Sequence, residues 1–285
     1  MTTMLIRHPR TEAATPSASP FAAQAALLPA VTFQASTYTA EECLTWRILF
    51  DRQTALLYRR APAAFFEGLR ALGLNRDAPP DLAVLSGRLR ALTGWTLRPA
   101  QGRVSDEAYL AGLARRELPV ATWLRARRDT EFLPGPDLFH DVFGHLPLLA
   151  AEPAYAQLLT QAGQLAARQH RQGTRAAPWL TRLLWHTVEF GLLTPAGGGK
   201  PQVIGAALLS SAAELHRATS AATDGEPPVR RPFQVTDILA TPMARAEYQQ
   251  QYFEAADWAG LLAGVAEVGA RLGVPAGTLA AARAA

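Results

Sequence analysis

One cysteine, Cys43, is all the thiol chemistry this chain has. That excludes an intramolecular disulfide framework and a cysteine-built zinc site, and it fits a reducing compartment. Lysine is as scarce, with Lys200 the only one, so the mildly basic balance of +4 is carried by arginine. No long basic block with interleaved aromatics occurs, which argues against nucleic acid as a partner. No apolar run reaches membrane-spanning length, because Arg, Gln, Glu or Pro interrupts each one, so no membrane partner is expected. A compact apolar core with a cleavage pattern, as a secretory signal needs, is also missing from the N-terminus. There is no internal repeat, and Gly197-Gly-Gly-Lys200 lacks both the spacing and the hydroxyl residue of a phosphate loop.

What the chain does have is helix. Residues 1–37 combine Arg7, His8 and Arg10 with Ser and Thr and a lone acid, Glu12, a composition shared by organelle transit peptides and disordered tails; we read them as a disordered tail. Thr39-Ala-Glu-Glu42 is a capping box opening a helix through Leu57. Helices are predicted from Ala64 to Leu72 ahead of Gly73, from Leu82 after Pro79-Pro80, from Ser105 through Leu113, from Ala154 to His170, from Trp179 to Leu193, from Leu208 to Glu214 and from Asp257 to Leu272. Short strands are predicted at Thr93–Arg98 and Arg231–Val235, and a hairpin turn at Gly197–Lys200. These elements make a mainly α fold of many helices and a few short strands, one domain over 38–275, with 276–285 as a C-terminal tail.

The unusual stretch is Pro136-Asp-Leu-Phe-His140-Asp-Val-Phe-Gly-His145-Leu-Pro147, two imidazoles among apolar side chains. Five residues of ideal α-helix is a rotation of about 140 degrees, so the pair cannot share a face. Binding one ion would require the helix to end or deform around Gly144, with Pro147 terminating it soon after. Two hydrogen-bonded core histidines are the alternative. Glu189, between Val188 and Phe190 in an apolar segment, should be paired, protonated or ligating, since an unpaired charge there would be costly; a surface-facing carboxylate is the alternative. Two imidazoles and one carboxylate suit mononuclear non-haem Fe(II) with open positions. Zinc uses the same ligand types, but the His-Glu-x-x-His spacing of zinc peptidases is absent. Asp137 and Ser210 are candidates to hold the second ring nitrogens of the histidines.

These residues carry a resemblance. From Tyr38-Thr-Ala-Glu-Glu, Trp46 and Arg52-Gln53, through Thr93-Gly-Trp, Leu113-Ala-Arg-Arg and Trp123-Leu-Arg125, to the His140 segment, Thr187-Val-Glu-Phe-Gly-Leu and Gly205-Ala-Ala-Leu-Leu-Ser-Ser211, the chain is similar to the pterin-dependent aromatic amino acid hydroxylases, and most to their bacterial phenylalanine 4-hydroxylases. The resemblance implies the catalytic domain alone, monomeric and cytoplasmic, with Fe(II), tetrahydrobiopterin or another tetrahydropterin, and O2. It implies His140, His145 and Glu189 as iron ligands. Arg125 would clamp the substrate carboxylate, with Ser210 beside it; Trp185 and Phe190 would flank the substrate ring, and Pro134 and Pro136 would shape the wall. The pterin would lie along Gly102, Val104, Ser105 and Tyr109, near Leu118, with a contact to Asp141.

Several positions depart from the family pattern. Leu118 stands where a stacking Phe is usual and Leu184 where a Tyr is usual. Leu133, Gly135, His186 and Ala207 also differ. The activity this resemblance implies is hydroxylation of L-phenylalanine to L-tyrosine. Another aromatic substrate such as tryptophan is an alternative, as is a catalytically impaired relative that binds pterin or iron in a regulatory role. His186, one residue from Trp185, is expected on another helix face as a core or surface histidine.

Overall fold

In the computed structural model, residues 38–194, 199–220 and 229–275 are described. Helices α1 (Ala40–Leu57), α2 (Ala63–Leu72) and α3 (Leu82–Thr93) open the chain. Thr39 caps α1 through the full capping box, and Asp81 caps α3 by accepting from the N–H groups of Ala83 and Val84. Strand β1 (Thr96–Ala100), helix α4 (Asp106–Ala114) and strand β2 (Glu117–Ala121) follow, with β1 and β2 parallel and Thr96 paired with Glu117. The expected strand at Thr93 thus begins three residues later, because Thr93 ends α3 and Gly94 takes a left-handed cap at φ 74°.

The centre of the molecule is the segment His140–His145, which is a π-helix continuing directly into α5 (Leu146–Ala151). Its i to i+5 bonding widens the turn, so residues five apart come onto one face, and this is the deformation that the two histidines required. Pro147 does not terminate the helix as the spacing suggested. It occupies the first turn of α5, where a missing N–H leaves no intrahelical bond unmade. The apolar face of the π segment is clamped by aromatics: Phe139 stacks on Phe143 with centroids 4.6 Å apart, and Trp46 and Phe65 meet them edge-on. All four rings are fully buried, which fixes the opposite, polar face.

Helices α6 (Pro153–Arg171) and α7 (Ala177–Leu184) pack beside it. The single helix expected from Trp179 to Leu193 is three elements: α7, a second π-helix at Trp185–Glu189, and strand β3 (Leu192–Leu193). Uniform hydrophobicity hid the change of backbone period. Strand β4 (Gln202–Val203) pairs antiparallel with β3, as a hairpin demands, while the turn at residues 195–198 lies outside the described residues. The helix expected over Leu208–Glu214 is two, α8 (Ala206–Ser210) and α9 (Ala212–Thr219), broken by extended Ser211, whose hydroxyl caps α9. The expected strand at Arg231–Val235 is β5 (Val229–Pro232), with Val235 instead opening helix α10 (Val235–Ala240). Strand β6 (Gln251–Ala255) and helix α11 (Trp258–Arg271), capped by Asp257, complete the chain. The second sheet runs β4-β3-β6-β5, with β6 parallel to both neighbours. The described fold is helix-rich with a few short strands. Among the described residues no helix is long and apolar enough to cross a membrane.

Candidate metal centre and aromatic cleft

The two π-helices face each other, and their polar side chains converge. His140 Nε2 lies 3.2 Å from one Glu189 oxygen and His145 Nε2 lies 3.3 Å from the other. Two ligand atoms at right angles on an ion with bonds of roughly 2.1 Å would be about 3 Å apart, which is close to each of these two separations. Each imidazole is held from behind. His140 Nδ1 is 3.1 Å from Ser210 Oγ, and that hydroxyl already donates its proton to the Ala206 carbonyl. Nδ1 must therefore be the donor, which in the neutral ring would leave the Nε2 lone pair for an ion. His145 Nδ1 is held at 2.7 Å by the Tyr155 hydroxyl.

Electrostatics agree with this geometry. Burial raises the pKa of Glu189, but the charges and hydrogen bonds of His145 and His140 outweigh it and hold the carboxyl well below the usual range. His140 is buried, which lowers its pKa, yet its bond to Glu189 raises it on balance. A second carboxylate is close: Asp141 Oδ1 is 4.0 Å from His140 Nε2, and one ligand atom each from His140, Asp141 and His145 fall within 4.8 Å of one another. Asp141 differs in its commitments, because its Oδ2 accepts from the Ala121 N–H at 2.7 Å and burial pushes its pKa up to about 6, against the opposing pull of both histidines. Glu189 spans both imidazoles, with one oxygen toward each Nε2.

A cleft opens over this cluster. Arg125, Pro134, Pro136, Trp185, Phe190 and Ser210 line it, together with all three candidate ligands. Gly102, Val104, Tyr109, Leu118 and Asp141 line it as well. Ser105 does not: its hydroxyl accepts from Ala108 N–H and caps α4. Asp137 also departs from expectation, since it touches no imidazole. Its carboxylate accepts from the His140 backbone N–H and, at 2.9 and 2.7 Å, from Arg125 Nε and Nη2. One edge of the buried guanidinium is thereby fixed, leaving the remaining N–H groups as donors in the cleft. The Trp185 and Phe190 rings are 5.0 Å apart, tilted at 45°. Leu118, Leu133, Gly135, Leu184 and Ala207 also line the cleft, and Gly135 has φ 123°, a conformation costly for any other residue. His186 turns away, buried edge-on against Phe253 with its pKa lowered to about 4 by burial.

Sequence reasoning missed Tyr155 and also Asp106, Arg245, Glu214 and Gln249 around the cleft. Tyr155 and Gln249 carry no local signal, because each acquires its role from a partner on another element.

Residues 22–271 match the biopterin-dependent aromatic amino acid hydroxylase family. The chain is 40% identical over 217 residues to the phenylalanine-4-hydroxylase of Ralstonia nicotianae, covering 76% of this chain and 66% of that relative. It superposes on the Chromobacterium violaceum phenylalanine hydroxylase with bound iron(III) and 7,8-dihydrobiopterin at a TM-score of 0.73, with 36% identity and 83% of each chain covered. On the iron- and phenylalanine-bound form of that enzyme the TM-score is 0.71, with 34% identity, covering 83% of this chain and 84% of the other. With the conjoined histidines, carboxylate and cleft, these matches make the chain a member of the biopterin-dependent aromatic amino acid hydroxylases.

Proposed function

We propose that this protein is an iron- and tetrahydropterin-dependent monooxygenase that converts L-phenylalanine to L-tyrosine with O2, residues 38–275 forming its catalytic domain. The observation that carries the reading is the convergence of His140 Nε2, His145 Nε2 and Glu189 at the floor of a cleft with a buried arginine and an aromatic pair on one wall. The donor set fits Fe(II): both imidazoles are oriented by their other nitrogens, the carboxylate is kept ionised, and no thiolate is near. Bound iron, with tetrahydropterin and O2, would supply the redox chemistry of hydroxylation.

The chain's own residues bind and orient. Arg125, braced by Asp137, offers its free edge to the amino acid carboxylate, and Trp185 and Phe190 hold the ring over the metal cluster. Gly102, Arg103, Val104, Asp106 and Tyr109, with Leu118 and Asp141, form the facing wall for the pterin. Leu118 and Leu184 keep that wall apolar and exclude water, without ring stacking. The relatives named above are phenylalanine hydroxylases, which favours phenylalanine over tryptophan and catalysis over a purely regulatory role. We further propose a cytoplasmic monomer.

The test is turnover of Fe(II)-loaded protein with tetrahydropterin, O2 and each aromatic amino acid, with products identified by mass. Tyrosine from phenylalanine is expected. Iron bound without any hydroxylated product would refute the enzyme, and 5-hydroxytryptophan as main product would move the substrate.

A further inference from the structure

Behind Trp185 the cleft wall is closed by a buried polar node. Gln249, 1% exposed, accepts from the indole Nε1–H through its Oε1 at 3.1 Å and donates from Nε2 to the Ala244 carbonyl at 2.7 Å. Its backbone N–H donates to Glu214 Oε1 at 3.2 Å, and Tyr252 Oη donates to Glu214 Oε2 at 2.6 Å. An amide oriented at both ends in this way has one rotamer and one flip state, so its oxygen is a fixed acceptor. The indole can meet it only in one plane. On the cleft side the same ring meets Phe190 and, at 5.7 Å, the Arg245 guanidinium, which reaches across to Asp106 Oδ2 at 3.0 Å.

We propose that Gln249 is a positioning residue for hydroxylation: it sets the plane of Trp185 and, through Ala244, holds the 241–250 segment over the substrate ring. The inference rests on the proposed reading that Trp185 flanks that ring. Without Gln249 the indole N–H loses its acceptor and the ring is free to rotate about its side-chain bonds, so the substrate ring is held less closely over the metal. A small angular error there costs productive turnover more than it costs binding of the pterin on the opposite wall.

The experiment is a double-mutant cycle between Gln249→Met and Trp185→Phe in the iron-loaded full chain, with Trp185→Ala as a control on the slot itself. The measurements are KM for phenylalanine and for pterin, tyrosine formed per pterin oxidised, iron content and melting temperature. Gln249→Met should raise the phenylalanine KM about three- to tenfold and lower the product-to-pterin ratio, with the pterin KM and iron content unchanged. In the Trp185→Phe background, where there is no N–H to hold, its effect on KM and on the ratio should fall to less than twofold. Equal effects in both backgrounds, or a lowered melting temperature with unchanged KM and ratio, would reduce Gln249 to a packing residue and overturn the proposal. If Trp185→Ala leaves the phenylalanine KM unchanged, the slot reading fails and the proposal with it; if that variant raises KM while Gln249→Met does not, only the proposal fails.

Discussion

Two carboxylates, half-buried Glu189 and buried Asp141, stand within reach of the same imidazoles, and they should separate cleanly by substitution. Glu189 spans both Nε2 atoms, whereas one Asp141 oxygen is committed to the Ala121 N–H. Glu189→Ala should therefore abolish stoichiometric iron, and Asp141→Ala should retain most of it, as read by metal analysis after gel filtration; the reverse pattern would exchange their roles. Asp137 is a different kind of acid. With Arg125 and Asp137 side chains only 3% and 0% exposed, removing one partner strands a desolvated charge, and Asp137→Asn should cost on the order of 3 kcal/mol at neutral pH. Burial raises the Asp137 pKa, but Arg125 and the His140 N–H lower it more, so it lies below the ordinary 3.8 in the folded protein. A depressed folded pKa means the stability is fully present above the ordinary value and is lost as pH falls through the folded one. Urea titrations should thus show a large gap between parent and variant at pH 7 that shrinks toward pH 3, and an undiminished gap would assign the stabilisation elsewhere. Legibility at this scale followed residue chemistry: His140, His145 and Glu189 stand out as polar groups in apolar surroundings, while Tyr155 reads as one more core aromatic until its hydroxyl is seen on His145.

At the scale of elements, the paired π-helices do what α-helices could not. An α-helix would set His140 and His145 on diverging faces; the wider turn brings their ring centroids to 5.2 Å. Gly144 lets α8 close on this segment, since a Cβ there would stand 2.7 Å from the Ala206 carbonyl, the same group that takes the Ser210 proton. Gly144→Ala should accordingly push α8 away, cost about 1–3 kcal/mol in thermal or urea unfolding, and weaken iron binding by loosening Ser210 from His140. Destabilisation with iron affinity intact would show that α8 packing and His140 orientation are independent. The helix ends at Thr39, Gly73, Ser105 and Asp257 were readable because caps are local chemistry. The break at Trp185 was not, because the segment is apolar on either side of it, whereas the one at Ser211 is written by a cap that hydropathy alone does not show.

For the whole molecule, the proposed metal centre would join segments about fifty residues apart, with His140 and His145 before α6 and Glu189 after α7. An ion held by both closes that loop in the folded state only. Saturating Fe(II) at about 100 times its Kd should add ~2.7 kcal/mol, which for a domain of this size is a rise of about 5–10 °C in Tm. Differential scanning calorimetry before and after chelation checks this, and identical melting curves would mean that the ion contributes nothing to holding the two π segments together.

The residue types of the proposed ligands, the capped helices, the mainly α class and the family are written in the sequence alone, because each rests on residue identity and short-range spacing. The tertiary structure decided which face each ligand presents, which carboxylate bridges the histidines, and that Asp137 serves Arg125 rather than an imidazole. Those outcomes depend on backbone period and on hydrogen-bond partners from distant elements, whose positions are set by packing of the whole fold and by no single stretch of it.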